Sequence, residues 1–177
     1  WWAGAEEDTI PAGDAAKGYI AAAFNVSGTN YPVIQDIMKH VYGKGKGEMD
    51  DKSRIGSAYY NRGVVFSILT SEAVRKAQER FGKGKPMTGE QVRWGLENLS
   101  INDAYLKKLG ATGFMQPLKV SCMDHEGGGA VKFVKRTSDV ALEIPDDDLA
   151  AHLDGSDLPP LTTIAHTQED DLPRTVS

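Results

Sequence analysis

The residues best placed to hold a charged ligand stand at the front of the chain. Glu6-Glu7-Asp8 is an acidic run set just behind the apolar, aromatic Trp1-Trp2-Ala3. Trp1-Trp2-Ala3 reads as the end of a strand, and in open α/β sheets ligands sit outside the carboxyl ends of the strands. An acid there pairs with a ligand ammonium through a charge-assisted hydrogen bond, the strong class of such bonds, and Trp1 and Trp2 would wall the site. The plain alternative is a solvated acidic loop, and residue types alone leave both readings open.

Other groups with chemical potential are weaker. Asp124-His125-Glu126 contains the start of a zinc-protease pattern, but Gly127-Gly128-Gly129 stands where a second histidine on the same helix is needed. His40, His152 and His166 lack ligand spacing, so the tripeptide reads as a capped turn and no metal or other cofactor is expected. Gly43-Lys44-Gly45-Lys46-Gly47 and Gly82-Lys83-Gly84-Lys85 lack the Ser or Thr that follows the lysine of a phosphate loop. Both fall behind helical patterns and read as solvated helix-ending loops. Ser57, Ser67, Ser71 and Ser121 carry no G-x-S-x-G elbow. Cys122, the only cysteine, excludes an internal disulfide. A Cys122–His125 pair would suit a small hydrolase, but a lone cysteine beside an apolar strand is more simply buried and inert.

The elements that would position these residues follow from periodicity. Gly18 to Phe24 is a short apolar run of buried-strand length. Val33, Ile34, Ile37, Met38 and Val41 recur at helical spacing, with Pro32 in the first turn and Gly43 as the stop. A long helix is expected from Arg54 to Phe81, its first half buried on several sides and Gly82 at its end. Gly56 and Gly63 inside it each cost roughly 1 kcal/mol against Ala, which implies close packing. Thr88 and Gln91 fit a capping box for a helix with Val92, Leu96 and Leu99 inward. Asn102 or Asp103 caps another helix ending at Gly110. Phe114 to Val120 reads as a strand with Pro117 at an edge or bulge. Gly127-Gly128-Gly129 turns the chain into a strand over 130–135, and Val140 to Ile144 pairs with it as a hairpin.

The 177 residues suit one domain or a piece of one. No run is long and apolar enough for a membrane helix. The net charge of −5 divides into −9 over residues 138–177 and +4 over the rest. Bases are not gathered along one face at strongly basic pI, so nucleic acid is not an expected partner. Residues 146–177, rich in Asp, Pro and Thr, read as disordered. The pattern is α/β in type, yet its few strands do not cover so long a helical middle. Most of the sheet is missing, and a chain that opens on Trp1 without methionine reads as a mature product or a fragment.

Several segments together resemble a known family. Trp1 to Asp8, Pro11-Ala12-Gly13-Asp14-Ala15-Ala16-Lys17-Gly18-Tyr19, Thr88 to Arg93 with Leu96-Glu97, Gly113 to Val120 and Asp124 to Val131 resemble the late part of type I periplasmic binding proteins. Within that family they resemble the branched-chain amino acid substrate-binding subunits of ABC importers. The resemblance covers about residues 1–137. It implies an α/β chain forming the C-terminal part of a two-lobe fold with an incomplete sheet. Residues 1–24 would end the second lobe, 25–124 would complete the first, and 130–135 would return to the second, with an acidic tail over 138–177. The implied function is non-enzymatic. A branched-chain amino acid or related small polar amide would be bound between two lobes, outside the cytoplasm, by a monomer that hands it to a membrane permease. A ligand-sensing regulator of the same fold is the alternative. The resemblance places the ammonium-binding acid at Glu6, with Glu7 next and Trp2 beside them.

Overall fold

The computed structural model describes residues 9–128, 131–136 and 141–144. All of these lie in the first of two compact units, Trp1–Ile144; the second, Pro145–Ser177, falls outside the described residues, as does most of the expected acidic tail.

A 3-10 segment, Ile10–Ala16, leads into strand β1, Ile20–Ala23. Helix α1, Pro32–His40, has Pro32 in its first turn as expected, where a missing N–H removes no helical bond. It ends at His40 rather than at Gly43. Gly43 sits in a 3-10 turn, and the left-handed residue that closes this corner is Gly45 (φ 66°). A second 3-10 turn, Lys52–Arg54, precedes the long helix α2, Ala58–Phe81, capped by Ser57, whose side chain accepts from the Tyr60 N–H. The expected helical start at Arg54 is thus displaced by Gly56, whose φ of 88° breaks the helical pattern.

Helix α3, Gly89–Leu96, carries the expected capping box in both directions, Thr88 to the Gln91 N–H and Gln91 to the Thr88 N–H. Its inner face differs from the expected one: Leu96 is exposed and Gly95 is buried. A methyl group on Gly95 would run into the Ala73 carbonyl oxygen, so glycine is what lets α3 lie directly on α2. A short strand β2, Ser100–Ile101, leads to helix α4, Asp103–Leu109, capped by Asn102 and closed by left-handed Gly110. Only Leu118–Lys119, strand β3, is extended enough to pair with β2. Phe114 and Met115, expected in that strand, turn inward instead and join the core, with Phe114 wholly buried.

Strand β4, Lys132–Arg136, pairs antiparallel with β1 on one side and with β5, Ala141–Ile144, on the other. The expected hairpin is present, and it carries the sheet past residue 138. Among the described residues the sheet order is β1-β4-β5, with β2-β3 a separate pair. β1 is half-buried rather than buried, because no described strand lies along its second edge. The core sits under α1, α2 and α4, where Val26, Ile34, Val65, Leu106 and Phe114 close on one another. Burying side chains of this size stabilises the fold by about 1.5–3 kcal/mol each.

Candidate functional site

A groove of 530 Å³ opens where the first described residues meet the turn before α2. One wall is Ile10 and Pro11. The other is Gly28 with the run Ser53-Arg54-Ile55-Gly56-Ser57. Its volume lies within the range of small-molecule sites.

Each wall is held by local chemistry. Asp51 accepts from the Ser53 N–H at 3.0 Å and from the Ser53 hydroxyl at 2.5 Å, which fixes the 3-10 turn. Those bonds favour the ionised carboxylate and hold its pKa below the usual value. Gly56 lies flat on Gly28, with the Gly28 N–H donating to the Gly56 carbonyl at 2.7 Å. A Cβ on Gly56 would stand 2.6 Å from Thr29 Cγ2, so the contact needs a bare backbone. Ser57 lines the groove and also caps α2, so the positive end of a 24-residue helix dipole lies at its edge.

Beneath the groove lies a buried polar layer that the sequence reading passed over. Asn61, wholly buried, donates to the carbonyls of Val26 (2.9 Å) and Gly28 (3.0 Å). Asn25 donates to the Ala58 carbonyl at 2.9 Å and accepts from Arg62 Nε at 3.2 Å. The Arg62 guanidinium, also buried, lies 4.8 Å from the Phe24 ring centroid and 5.1 Å from that of Tyr59. These contacts staple residues 24–28, where the chain leaves β1, to the first turns of α2. The available signal was two adjacent polar residues, Asn61 and Arg62, inside an otherwise apolar helical run. Chemically, the groove offers an apolar surface at Ile10 and Ile55 beside a cationic edge at Arg54 and the α2 N-terminus. That combination suits a small molecule with a hydrocarbon part and an anionic group.

The other groups singled out from the sequence are dispersed. Trp1, Trp2, Glu6 and Glu7 lie outside the described residues, so Glu6, Glu7 and Trp2 stay expectations. Asp124 forms the expected turn, accepting from the N–H groups of Glu126 and Gly127, while Ser121 Oγ accepts from those of Met123 and Asp124. His125 Nε2 stands 3.7 Å from Glu97 Oε1, a carboxylate already bonded to Arg93 Nε at 2.8 Å. Cys122 is exposed, not buried as its apolar neighbours suggested, because the strand ends at Lys119 and leaves it in the turn. No set of three or more His, Cys, Asp or Glu side chains gathers at metal distance among the described residues. A second hollow of 340 Å³ is lined in part by Glu72, Arg75 and Tyr105. Their charges meet one another: the Tyr105 hydroxyl donates to Glu72 at 2.6 Å and accepts from Arg75 at 2.7 Å. Desolvation and the bond to Glu72 push the Tyr105 pKa up.

Comparison with known proteins decides the architecture. No protein-family model matches the chain, and no curated protein matches it. Among solved structures, it is similar to an ABC transporter permease from the Pseudomonas fluorescens group, with 41% identity, a TM-score of 0.77 and 86% of this chain covered. It is also similar to a branched-chain amino acid ABC transporter from Thermus thermophilus with bound valine, at 23% identity and a TM-score of 0.57 over 80% of this chain. The chain has part of the type I periplasmic binding protein fold. The chain spans 38% and 36% of the two neighbours' lengths. Both neighbours are ABC-transport proteins, and none of the described helices here is long and apolar enough to cross a membrane.

Proposed function

We propose that the chain is part of a solute-binding subunit of an ABC importer, acting outside the cytoplasm without transforming its ligand. The ligand is a branched-chain amino acid or a related small polar amide, and the closed, loaded form delivers it to a membrane permease. The observation that carries this reading is the shared fold with two ABC-transport proteins, one of them holding valine.

The groove supports it. In the two-lobe reading, residues 1–24 close one lobe and 25–124 complete the other, so Ile10 and Pro11 face Ser53 to Ser57 across the boundary between lobes. Glu6 is four residues before Ile10, within about 14 Å of it even in a fully extended chain. A zwitterion in the groove would meet apolar surface at Ile10 and Ile55, cationic groups at Arg54 and the α2 N-terminus, and the acids Glu6 and Glu7 for its ammonium, with Trp2 beside them. Hinge motion about the crossing strands would close the lobes on it.

The test is calorimetric titration of leucine, isoleucine, valine and small amides into this chain joined to the remainder of the two-lobe fold. Glu6→Gln should weaken binding by about tenfold or more, the loss of a charge-assisted hydrogen bond. Equal affinity in the variant removes Glu6 from the site, and no binding of any of these compounds overturns the reading. This chain by itself should bind them poorly.

A further inference from the structure

We propose that the hollow between the second half of α2, strand β2 and helix α4 is a separate binding site for a small oxyanion of the phosphate class. The proposal stands on this chain's own side chains. It is independent of the amino-acid ligand and of the groove at Ser53 to Ser57.

Three elements converge on the hollow. α2 brings Glu72, Arg75, Lys76 and Glu79, at the spacing that sets residues on one helix face. β2 brings Ser100, and α4 brings Tyr105 and Lys108, three residues apart. The lining therefore carries three bases and two acids. Both acids are already engaged. The Glu72 side chain is only 11% exposed, with Oε1 held by Arg75 Nη2 at 3.2 Å and Oε2 accepting from the Tyr105 hydroxyl at 2.6 Å. Glu79 lies 3.8 Å from Lys76. A ligand ammonium would find no free carboxylate among these residues, so a cation or a zwitterion is a poor fit.

What remains is rich in donors. A guanidinium has five N–H donors, and the bonds to Tyr105 (2.7 Å) and Glu72 engage two of those on Arg75. The Arg75 side chain is still 55% exposed, which leaves its other donors within reach of a ligand. Lys108 has no carboxylate at ion-pair distance among the described residues. Its Nζ lies 6.0 Å from the ring centroid of Tyr105, the residue that also holds Arg75. Ser100, exposed on β2, adds a hydroxyl. A planar guanidinium fork with a lysine as point charge is the combination that recognises phosphate oxygens. The clamp of Tyr105 and Glu72 fixes Arg75 beforehand, which lowers the ordering cost of binding. The volume of 340 Å³ is at the small end of ligand sites and suits a small ion.

Inorganic phosphate is titrated into the chain at low ionic strength, where exposed charges are least screened, and amide resonances are followed by NMR. Saturable shifts should appear at Ser100, Ile101, Tyr105 and Lys108. Arg75→Gln should weaken binding by about tenfold, the loss of a charge-assisted hydrogen bond, and Lys108→Gln by about threefold, the usual effect of one exposed charge. Tyr105→Phe, which releases Arg75, should also weaken it, with unchanged circular dichroism. Glu79→Gln should tighten binding by about twofold, since it removes a repelling charge and frees Lys76; a variant that merely loosened the fold would not. Lys83→Gln, in the loop after α2, should change nothing. Retention on phosphatidylglycerol vesicles that inorganic phosphate competes off would name a lipid headgroup as the carrier of the same group. No saturable shift, shifts confined to residues 53–57, or equal losses in Lys83→Gln and Lys108→Gln would each overturn the proposal, as would vesicle retention without binding of inorganic phosphate.

Discussion

Asn61 shows how one side chain decides the course of a loop. Its amide bridges the carbonyls of Val26 and Gly28 beside α2; Val26 has only a longer second donor, the Asn25 amide at 3.4 Å. A buried acceptor left without a partner costs about 1–3 kcal/mol. Asn61→Ala should therefore destabilise the chain by about 2–3 kcal/mol in urea unfolding. The same change should free residues 25–28 and widen the groove, seen as faster amide exchange at Gly28. Asn61→Asp should fare no better, since a carboxylate has no donor for either carbonyl. None of this was legible from the residue alone. Asparagine has low helix propensity and favours caps and turns, and only the crossing of α2 under residues 25–28 gives it work in a helix.

At the scale of elements, boundaries followed from caps wherever the cap was local. Thr88 with Gln91, Asn102, and Gly82 and Gly110 as stops were all readable, because each acts within four residues. The faces were less readable. The spacing of Val92, Leu96 and Leu99 made Leu96 an inward residue, yet the close approach of α3 to α2 turns Gly95 in and Leu96 out. Contact between two helix backbones depends on the smallest residue, and hydrophobic spacing does not register it. Gly95→Ala should push α3 off Ala73 and cost about 1–3 kcal/mol, the usual size of overpacking, against a gain of about 1 kcal/mol in propensity. Thermal unfolding should show a net loss, whereas Gly63→Ala, with open space around it, should show a net gain. Phe114 and Met115 make the same point for strands. Their apolar run read as extended, and the buried turn after α4 claimed them for the core.

At the scale of the whole molecule, stability is linked to protons through a tyrosine at the edge of the core. The Tyr60 hydroxyl lies 3.3 Å from that of Tyr42, which in turn reaches Met49 Sδ at 3.8 Å. Desolvation first, and the bond to Tyr42 second, raise the Tyr60 pKa above its ordinary value of 10.0. A raised folded-state pKa means that the folded chain holds this proton more tightly than the unfolded chain. The contribution is complete below about pH 10 and is lost as pH rises from there towards the folded value. Urea midpoints measured upward from neutral pH should fall beyond about pH 10, and Tyr60→Phe should flatten that fall.

How much of the molecule the sequence determined by itself depends on the range of the interaction. Helix positions, caps, the hairpin of β4 with β5 and the Asp124 turn were set within a few residues, by periodicity, side-chain acceptors and glycine stops. The α/β class and the shortage of sheet were legible too, since a helical middle this long needs more strands than the described residues supply. The tertiary structure alone decided which polar residues are buried at Asn25, Asn61 and Arg62, that Gly95 and not Leu96 faces α2, and that Ile10 and Pro11 meet Ser53 to Ser57 across a groove. Each of these joins segments far apart along the chain. Their energies depend on close approach and on the exclusion of water, which come into being only when those segments are brought together.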